Sequence, residues 1–189
     1  MRLPPLAPEA LNPDLRQVHD QIAGLVARTQ DRIAVLDENG ALIGPFPAML
    51  HFPQFGVPAL VFQRTLSSEA RLAKTVREVA ILTVGAAFGA RYELYAHEIT
   101  AAQVGLAPSQ VATLAAGGRP SDLSDEEAIA HDVALALAKG RILATSTYAR
   151  AIELLGRDGV GELAFLISGY AMIAVLLNAF DVPVPGVDA

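Results

Sequence analysis

Residues 72–106 read LAKTVREVAILTVGAAFGARYELYAHEITAAQVGL, and this stretch decides the fold. It starts with apolar residues at helical spacing and becomes uncharged up to Ala87, which predicts a helix with one buried end. Gly89 ends this helix, and a second runs from Arg91 to about Val104 before Gly105, because glycine readily adopts the left-handed conformation that ends helices. We therefore expect a helix hairpin at the centre of the fold.

Helical signals continue on both sides of this hairpin. Apolar spacing predicts a first helix from Asp14 to about Thr29, and Ser124 to Glu127 forms a capping box that opens a helix to Lys139. Strand signals are nearly absent, so the predicted class is all-α. Ser67-Ser68-Glu69 is predicted to cap the first helix of the hairpin, and a short helix is predicted from Pro108 to Gly117-Gly118. A further helix, capped by Ser146, should end at Gly156, and a final apolar helix should follow Gly159-Val160-Gly161.

The segments before the hairpin are less regular. Four prolines in residues 1–13 predict an extended arm, and Asn39-Gly40 predicts a small hairpin or an irregular excursion within 33–43. Residues 44–58 hold four prolines and three phenylalanines, which indicates a loop with short helical turns. Pro58 suits the first turn of a helix that extends to about Leu66. We expect residues 1–43 to form an arm and helix, and residues 44–185 to form the main domain of one compact unit.

The composition excludes several classes of protein. Hydrophobic residues make up 52% of the 189 residues and charged residues only 18%, so there is ample apolar surface to drive folding. Fourteen Lys and Arg against twenty Asp and Glu give a net charge of −6, which argues against binding nucleic acid through a basic patch. The mean hydropathy of +0.38 raises the question of what covers the apolar excess.

The longest uncharged stretch, Leu163–Phe180, approaches the length of a membrane span. Its polar residues, its acidic neighbours Glu162 and Asp181, and the lack of a flanking basic cluster favour a helix buried within a helical assembly. The proline-interrupted N-terminus lacks the apolar core of a secretory signal. We expect a cytoplasmic protein that does not bind membranes.

Cysteine is absent from the sequence, which removes disulfides, thiolate nucleophiles and cysteine-bound metals. The histidines and carboxylates do not follow a zinc-ligand pattern, and no phosphate-binding loop or dinucleotide fingerprint follows a strand. We therefore expect no metal and no cofactor.

Among the four histidines, His97 has the most informative neighbours. Glu93 lies four residues earlier on the same helical face, and a carboxylate there orients the imidazole and stabilises its charged form. Glu78 lies where the preceding helix turns apolar, so it is either at a boundary or buried with a partner. In a hairpin it could face Glu93 and His97. The alternative, non-catalytic interpretations are a surface Glu93–His97 pair and a salt bridge from Glu78 to Arg77 or Lys74.

The other three histidines carry less information. We expect His19 and His131 to be solvated helix residues, and His51 to pack within the aromatic loop.

Three blocks of the sequence, in order, resemble the carboxymuconolactone decarboxylase family, of the alkylhydroperoxidase D-like superfamily. In the central block, the residues that match the family pattern are Arg77 to Leu82 (REVAIL), the pair Tyr92-Glu93, His97, and Ala102–Leu106. The aromatic loop at 44–54 and the final helix at 161–185 resemble the segments that flank this block in the family.

The resemblance implies an all-α, alkylhydroperoxidase D-like fold with a helix-hairpin core, assembled into trimers or hexamers. Peroxide-reducing members of the superfamily carry Cys-x-x-Cys-x-x-x-His, and counting back from His97 places these cysteines at Ala90 and Glu93. Neither is a cysteine, which argues against thiol peroxidase activity. The sequence is more similar to the cysteine-free, decarboxylase-like branch.

The resemblance further implies a lyase of aromatic-compound catabolism, which decarboxylates a small lactone acid without a cofactor. On this hypothesis His97 donates a proton to carbon, Glu93 orients and charges it, and Glu78 supports them. Tyr92, Arg91 and Arg77 are candidate substrate-binding residues, with Arg71 a further candidate for the substrate carboxylate. The alternatives are a lactone isomerase or hydrolase with the same pair, and a non-catalytic oligomeric binding protein whose buried Glu–His network fixes helix packing.

Overall fold

The computed structural model describes residues 1–26, 33 and 35–186, and their regular structure is helical apart from one antiparallel bridge between Leu36 and Leu42. The all-α class is therefore confirmed for the described residues. The bridge flanks a turn in which Gly40 has a φ of 74°, as the Asn39-Gly40 signal predicted. The helices are α1 Pro13–Val26, α2 Phe46–His51, α3 Pro53–Ser68, α4 Lys74–Phe88, α5 Arg91–Val104, α6 Pro108–Ala115, α7 Asp125–Ala138 and α8 Thr145–Ala179.

The chain divides into two compact units, and the divisions fall within α3 and α8. The first unit comprises Met1–Arg64 with Leu176–Ala189, and the second comprises Thr65–Val175. The first has a small apolar core around Ile22, Leu42 and Leu50. The boundary expected at residues 43 and 44, and the single domain, stay predictions. Residues 27–29, at the end of the predicted first helix, lie outside the described residues.

The predicted hairpin is present as α4 and α5. Gly89 ends α4 at a φ of 62°, and Gly105 ends α5 at a φ of 105°. Both values lie in the left-handed region, where a side chain would clash with the backbone. The intervening N–H groups of Gly89 and Ala90 bond to the last carbonyls of α4, so the reversal leaves few backbone groups unpaired.

The α4 helix is the centre of the second unit because apolar residues cover it on two sides. One core cluster joins α4 to α7 and α8 through residues such as Ile81, Val133 and Leu163. A second joins α4 to α5 and α6 through Val79, Leu82, Ala101 and Leu114. The predicted capping box of α7 is confirmed, since Ser124 accepts from the N–H of Glu127 at 3.3 Å and Glu127 accepts from Ser124 at 2.9 Å.

The cap that we expected for α4 is wrong. Ser67 and Ser68 lie inside α3, and α4 begins only at Lys74, where Ala73 offers no side-chain cap. Glu162 of α8 instead accepts from the backbone N–H of Arg71 at 2.9 Å and of Leu72 at 3.2 Å. Glu162 thus holds the segment that connects α3 to α4, rather than capping α4 itself.

Three other boundaries differ from their predictions. α3 starts at Pro53 rather than Pro58, α6 ends at Ala115 rather than Gly118, and the final apolar helix includes Gly159 to Gly161. The only non-helical residue within α8 is Gly156, with a φ of 70°. Gly159 lies in a tightly packed place, since a Cβ there would lie 3.0 Å from Cβ of Leu155 and 3.3 Å from Leu72.

Of the described helices, α8 alone is long and apolar enough to cross a membrane by length and composition. Its most apolar window is 39% buried. A core helix of a soluble protein meets the same criteria, so the finding is weak evidence for a membrane span.

Candidate functional site

A hydrogen bond between α4 and α5 forms the centre of the candidate site. Nδ1 of His97 lies 2.8 Å from Oε2 of Glu78, and the two side chains are 17% and 10% exposed. A carboxylate accepts hydrogen bonds, so Nδ1 carries the hydrogen and Nε2 is the ring nitrogen left to meet a ligand. The expectation that Glu78 faces His97 across the hairpin is confirmed, and its salt bridge to Lys74 is not formed.

The pairing expected between Glu93 and His97 is wrong. The Glu78 carboxylate occupies the position beside Nδ1, and neither oxygen of Glu93 has a hydrogen-bond partner among the described residues. Glu93 lies in the first turn of α5, and its side chain packs toward the end of α4 instead of along its own helix. A Cβ on Gly85 would lie 3.3 Å from Oε1 of Glu93, so this glycine leaves the room that the carboxyl occupies.

Glu93 is 2% exposed, and this burial raises its pKa to about 9. Desolvation is the cause, because the charged form would have neither water nor a partner to stabilise it. Near neutral pH the side chain is therefore a carboxylic acid, which can donate one hydrogen bond. It cannot supply the negative charge that we expected beside His97.

Tyr170 of α8 completes the cluster, and sequence reasoning missed it. Its ring meets the His97 ring edge-on, with centroids 4.9 Å apart. Burial raises the pKa of Tyr170 most, the carboxyls of Glu78 and Glu93 raise it further, and Arg77 lowers it. The hydroxyl therefore keeps its proton and stays a donor. The available signal was a tyrosine within the uncharged run 163–180.

The three candidate substrate-binding residues occupy different environments. Arg77 donates to the carbonyl of Leu66 at 3.0 Å and lies 4.0 Å from Glu162, so it already has protein partners. Tyr92 is 5% exposed and packs edge-on against Tyr95, and burial raises its pKa. Arg91 is exposed at the start of α5. Their substrate-binding roles stay predictions.

The remaining histidines correct one expectation. His19 and His131 are buried, at 4% and 3% exposure, rather than solvated. In each case Nδ1 lies 3.0 Å from the next residue, Asp20 or Asp132, which compensates the buried ring. His51 bonds to the carbonyl of Pro4 at 3.0 Å.

Over the residues that the structure describes, no group of three His, Asp or Glu side chains is arranged to hold a metal ion. The candidate site comprises Glu78, Glu93, His97 and Tyr170.

Comparison with solved structures identifies the fold. An AhpD core protein from Ralstonia eutropha JMP134, described as an uncharacterized peroxidase-related protein, matches with a TM-score of 0.77 at 18% identity, over 98% of this chain and 92% of its own. The chain has the AhpD-like fold. A complex of a cysteine-to-alanine variant of the debrominase Bmp8 with 2,3,4-tribromopyrrole matches with a TM-score of 0.74 at 14% identity, over 98% of this chain and 92% of its own.

The Bmp8 apo structure also matches with a TM-score of 0.74, at 13% identity and over 97% of this chain and 92% of its own. No protein-family model matches the sequence, and the search of curated proteins finds no match. At these identities the structural matches show the fold alone.

The buried acid predicts a pH-dependent stability. The folded chain holds the Glu93 proton up to about pH 9, whereas the ordinary pKa is 4.5, so the folded state binds more protons in this window. Above the ordinary pKa, burial of Glu93 therefore lowers the free energy of unfolding. This free energy falls by up to about 1.4 kcal/mol for each unit by which the pH rises. Glu93→Gln should remove this slope, as measured by denaturant unfolding across the window.

The exposed Glu98 on the same helix provides the matched control. Glu98→Gln should keep the pH dependence of the unmodified chain. Parallel stability curves for Glu93→Gln and the unmodified chain would show that Glu93 is not a buried acid.

Proposed function

We propose that this chain is a cofactor-free enzyme that performs acid–base chemistry on a small lactone or carboxylic acid, with decarboxylation as its reaction. The observation that carries the proposal is the largely buried Glu78–His97 bond, which links the two helices of the hairpin. The resemblance of residues 72–106 to the carboxymuconolactone decarboxylase family supports the choice of reaction and its place in aromatic-compound catabolism.

The proposed mechanism gives the proton transfer to His97. The substrate carboxylate leaves as carbon dioxide, and the electron pair of the broken carbon–carbon bond moves into the unsaturated lactone as a dienolate. Protonated His97 then donates its Nε2 proton to carbon, and solvent restores that proton. Glu78, bonded to Nδ1, orients the ring and stabilises its charged form.

Two neutral donors near this pair would stabilise the dienolate. Glu93 remains a carboxylic acid near neutral pH, and the raised pKa of Tyr170 keeps its hydroxyl protonated. Neutral donors with raised pKa values stabilise a developing oxyanion without repelling it, and they are worth most where water is excluded. This role for Glu93 replaces the orienting role that the sequence suggested.

The absence of cysteine limits which activities of structurally similar proteins can be proposed for this chain. The chain has no cysteine, so thiol-based reduction of peroxides is disfavoured. The complex of the debrominase Bmp8 with 2,3,4-tribromopyrrole supports a small cyclic ligand for this fold, although the identity is only 14%. The substrate class therefore rests on the sequence resemblance.

Replacing His97 tests this function. With a panel of lactone acids, His97→Gln should lower the rate of carbon dioxide release by on the order of 10² to 10⁴-fold, because glutamine cannot transfer the proton. His51→Gln provides a control, since His51 bonds to the Pro4 carbonyl and lies outside the cluster.

Undiminished turnover in a folded His97→Gln variant would exclude the proposed role of His97. Isomerised or hydrolysed product without carbon dioxide would favour the isomerase or hydrolase alternative. Absence of turnover with every acid in the unmodified chain would favour a structural Glu–His network in a binding protein.

We further propose that the chain is cytoplasmic and forms a homo-oligomer, a trimer or hexamer as the resemblance implies. Support comes from apolar side chains left exposed on α8, with Phe165 63% and Val175 51% exposed. Such surface favours a subunit interface.

Sedimentation at low concentration without detergent tests the assembly. The unmodified chain should sediment as a trimer or hexamer, and Val175→Glu should dissociate it if this part of α8 lies in the interface. A stable monomer of the unmodified chain would contradict the proposal.

A further inference from the structure

A cavity with polar residues in its lining lies in the unit formed by Thr65–Val175, outside the Glu78–His97 cluster. Its volume is about 240 Å³, and it lies partly open to solvent between α4, the end of α6 and the second half of α7. At about 30 Å³ per water molecule, this is room for roughly eight waters, or for one small ring-shaped molecule. The lining residues are Thr83, Ala86, Ala87, Leu114, Gly117, Gly118, His131, Leu135 and Lys139.

His131 is the most unusual residue in the lining. It is 3% exposed, and its Nδ1 lies 3.0 Å from the carboxylate of Asp132. The carboxylate accepts from Nδ1, which leaves Nε2 without a hydrogen-bond partner among the described residues. His131 lines the cavity, and its Nε2 can therefore meet a polar ligand there.

The charges around the cavity favour an anion. Asp132 is held by Arg119, with distances of 2.9 and 3.4 Å to its two oxygens, so its negative charge is already paired. Lys139, at the end of α7, lines the cavity and has no ion-pair partner in the described part of the chain. The cavity is therefore lined by the Lys139 ammonium group and the His131 imidazole, and its lining contains no carboxylate.

The rest of the lining restricts the ligand further. The hydroxyl of Thr83 donates to the carbonyl of Val79 at 2.7 Å, so it offers no further donor. Leu114, Leu135 and two alanines form apolar walls. A ligand that matches both the polar and the apolar residues has a negatively charged group that contacts His131 and Lys139, and a flat apolar ring that packs against these walls.

The cavity is separate from the proposed catalytic cluster. No residue of that cluster lines it. On α4, Thr83 follows Glu78 by five residues, which places the two side chains about 140° apart around the helix and about 7.5 Å apart along it. The two sites therefore lie on different faces of α4.

From these contacts we infer that the cavity between α4, α6 and α7 is a binding site for a small aromatic or cyclic monocarboxylate, held by His131 and Lys139. The Asp132–Arg119 pair fixes the ring of His131 so that Nε2 can donate to the carboxylate when the ring is protonated. The site provides binding and does not depend on turnover at His97.

Benzoate and its uncharged analogue benzamide test the inference. Calorimetric titration of the full chain should show binding of benzoate and at least about tenfold weaker binding of benzamide, because only benzoate carries the charge that Lys139 recognises. Lys139→Met should weaken benzoate binding by about tenfold or more. Lys74→Met is the matched control, since Lys74 is the only other lysine and lies exposed at the start of α4.

Two further variants keep the test decisive. Ala86→Phe should fill the cavity and abolish benzoate binding, whereas His97→Gln should leave binding unchanged, which separates this site from the proposed catalytic one. The inference is overturned if benzoate does not bind, if benzamide binds equally well, or if Lys139→Met behaves like Lys74→Met. Loss of benzoate binding in His97→Gln would also overturn it.

Discussion

The hydrogen bond between Glu78 and His97 is the constraint on which the candidate site depends. It joins two helices that otherwise meet through apolar residues, and both partners are largely buried. A buried polar group without a hydrogen-bond partner is destabilising, so each of these side chains supplies the partner that the other needs. The left-handed turn at Gly89 makes the pairing possible, because it reverses the chain so that residues nineteen apart come into contact.

The sequence predicted the hairpin because its signals are local. Gly89 and Gly105 mark helix ends, and Ser124 with Glu127 marks a helix start, each within a few residues. The start of α4 was not predictable in this way. The segment just before it is held by Glu162, about ninety residues later in the chain, which accepts from the N–H groups of Arg71 and Leu72.

The candidate site was predicted only in part for the same reason. His97 and Glu78 were found, but the rule of four-residue spacing assigned the partner of His97 to Glu93. That rule describes neighbours on one helix and takes no account of a carboxylate from the facing helix. Tyr170 was missed because its position beside His97 depends on how α8 packs. The burial of His131 likewise follows from tertiary packing.

The environment of Glu93 is a distinctive feature of this AhpD-like fold. The resemblance assigns this position to the second cysteine of the peroxidase motif, and here it carries a buried acid. Gly85 leaves room for the carboxyl, and the surroundings keep it neutral. The buried acid is thereby available for donating a hydrogen bond.

The most direct test of this account is the protonation pattern of the His97 ring, measured by nitrogen-15 NMR of the folded chain. The account predicts that the neutral ring carries its hydrogen on Nδ1, and that Glu78→Gln alters its signals more than Glu93→Gln does. A hydrogen on Nε2, or equal effects of the two substitutions, would contradict the claim that Glu78 orients His97.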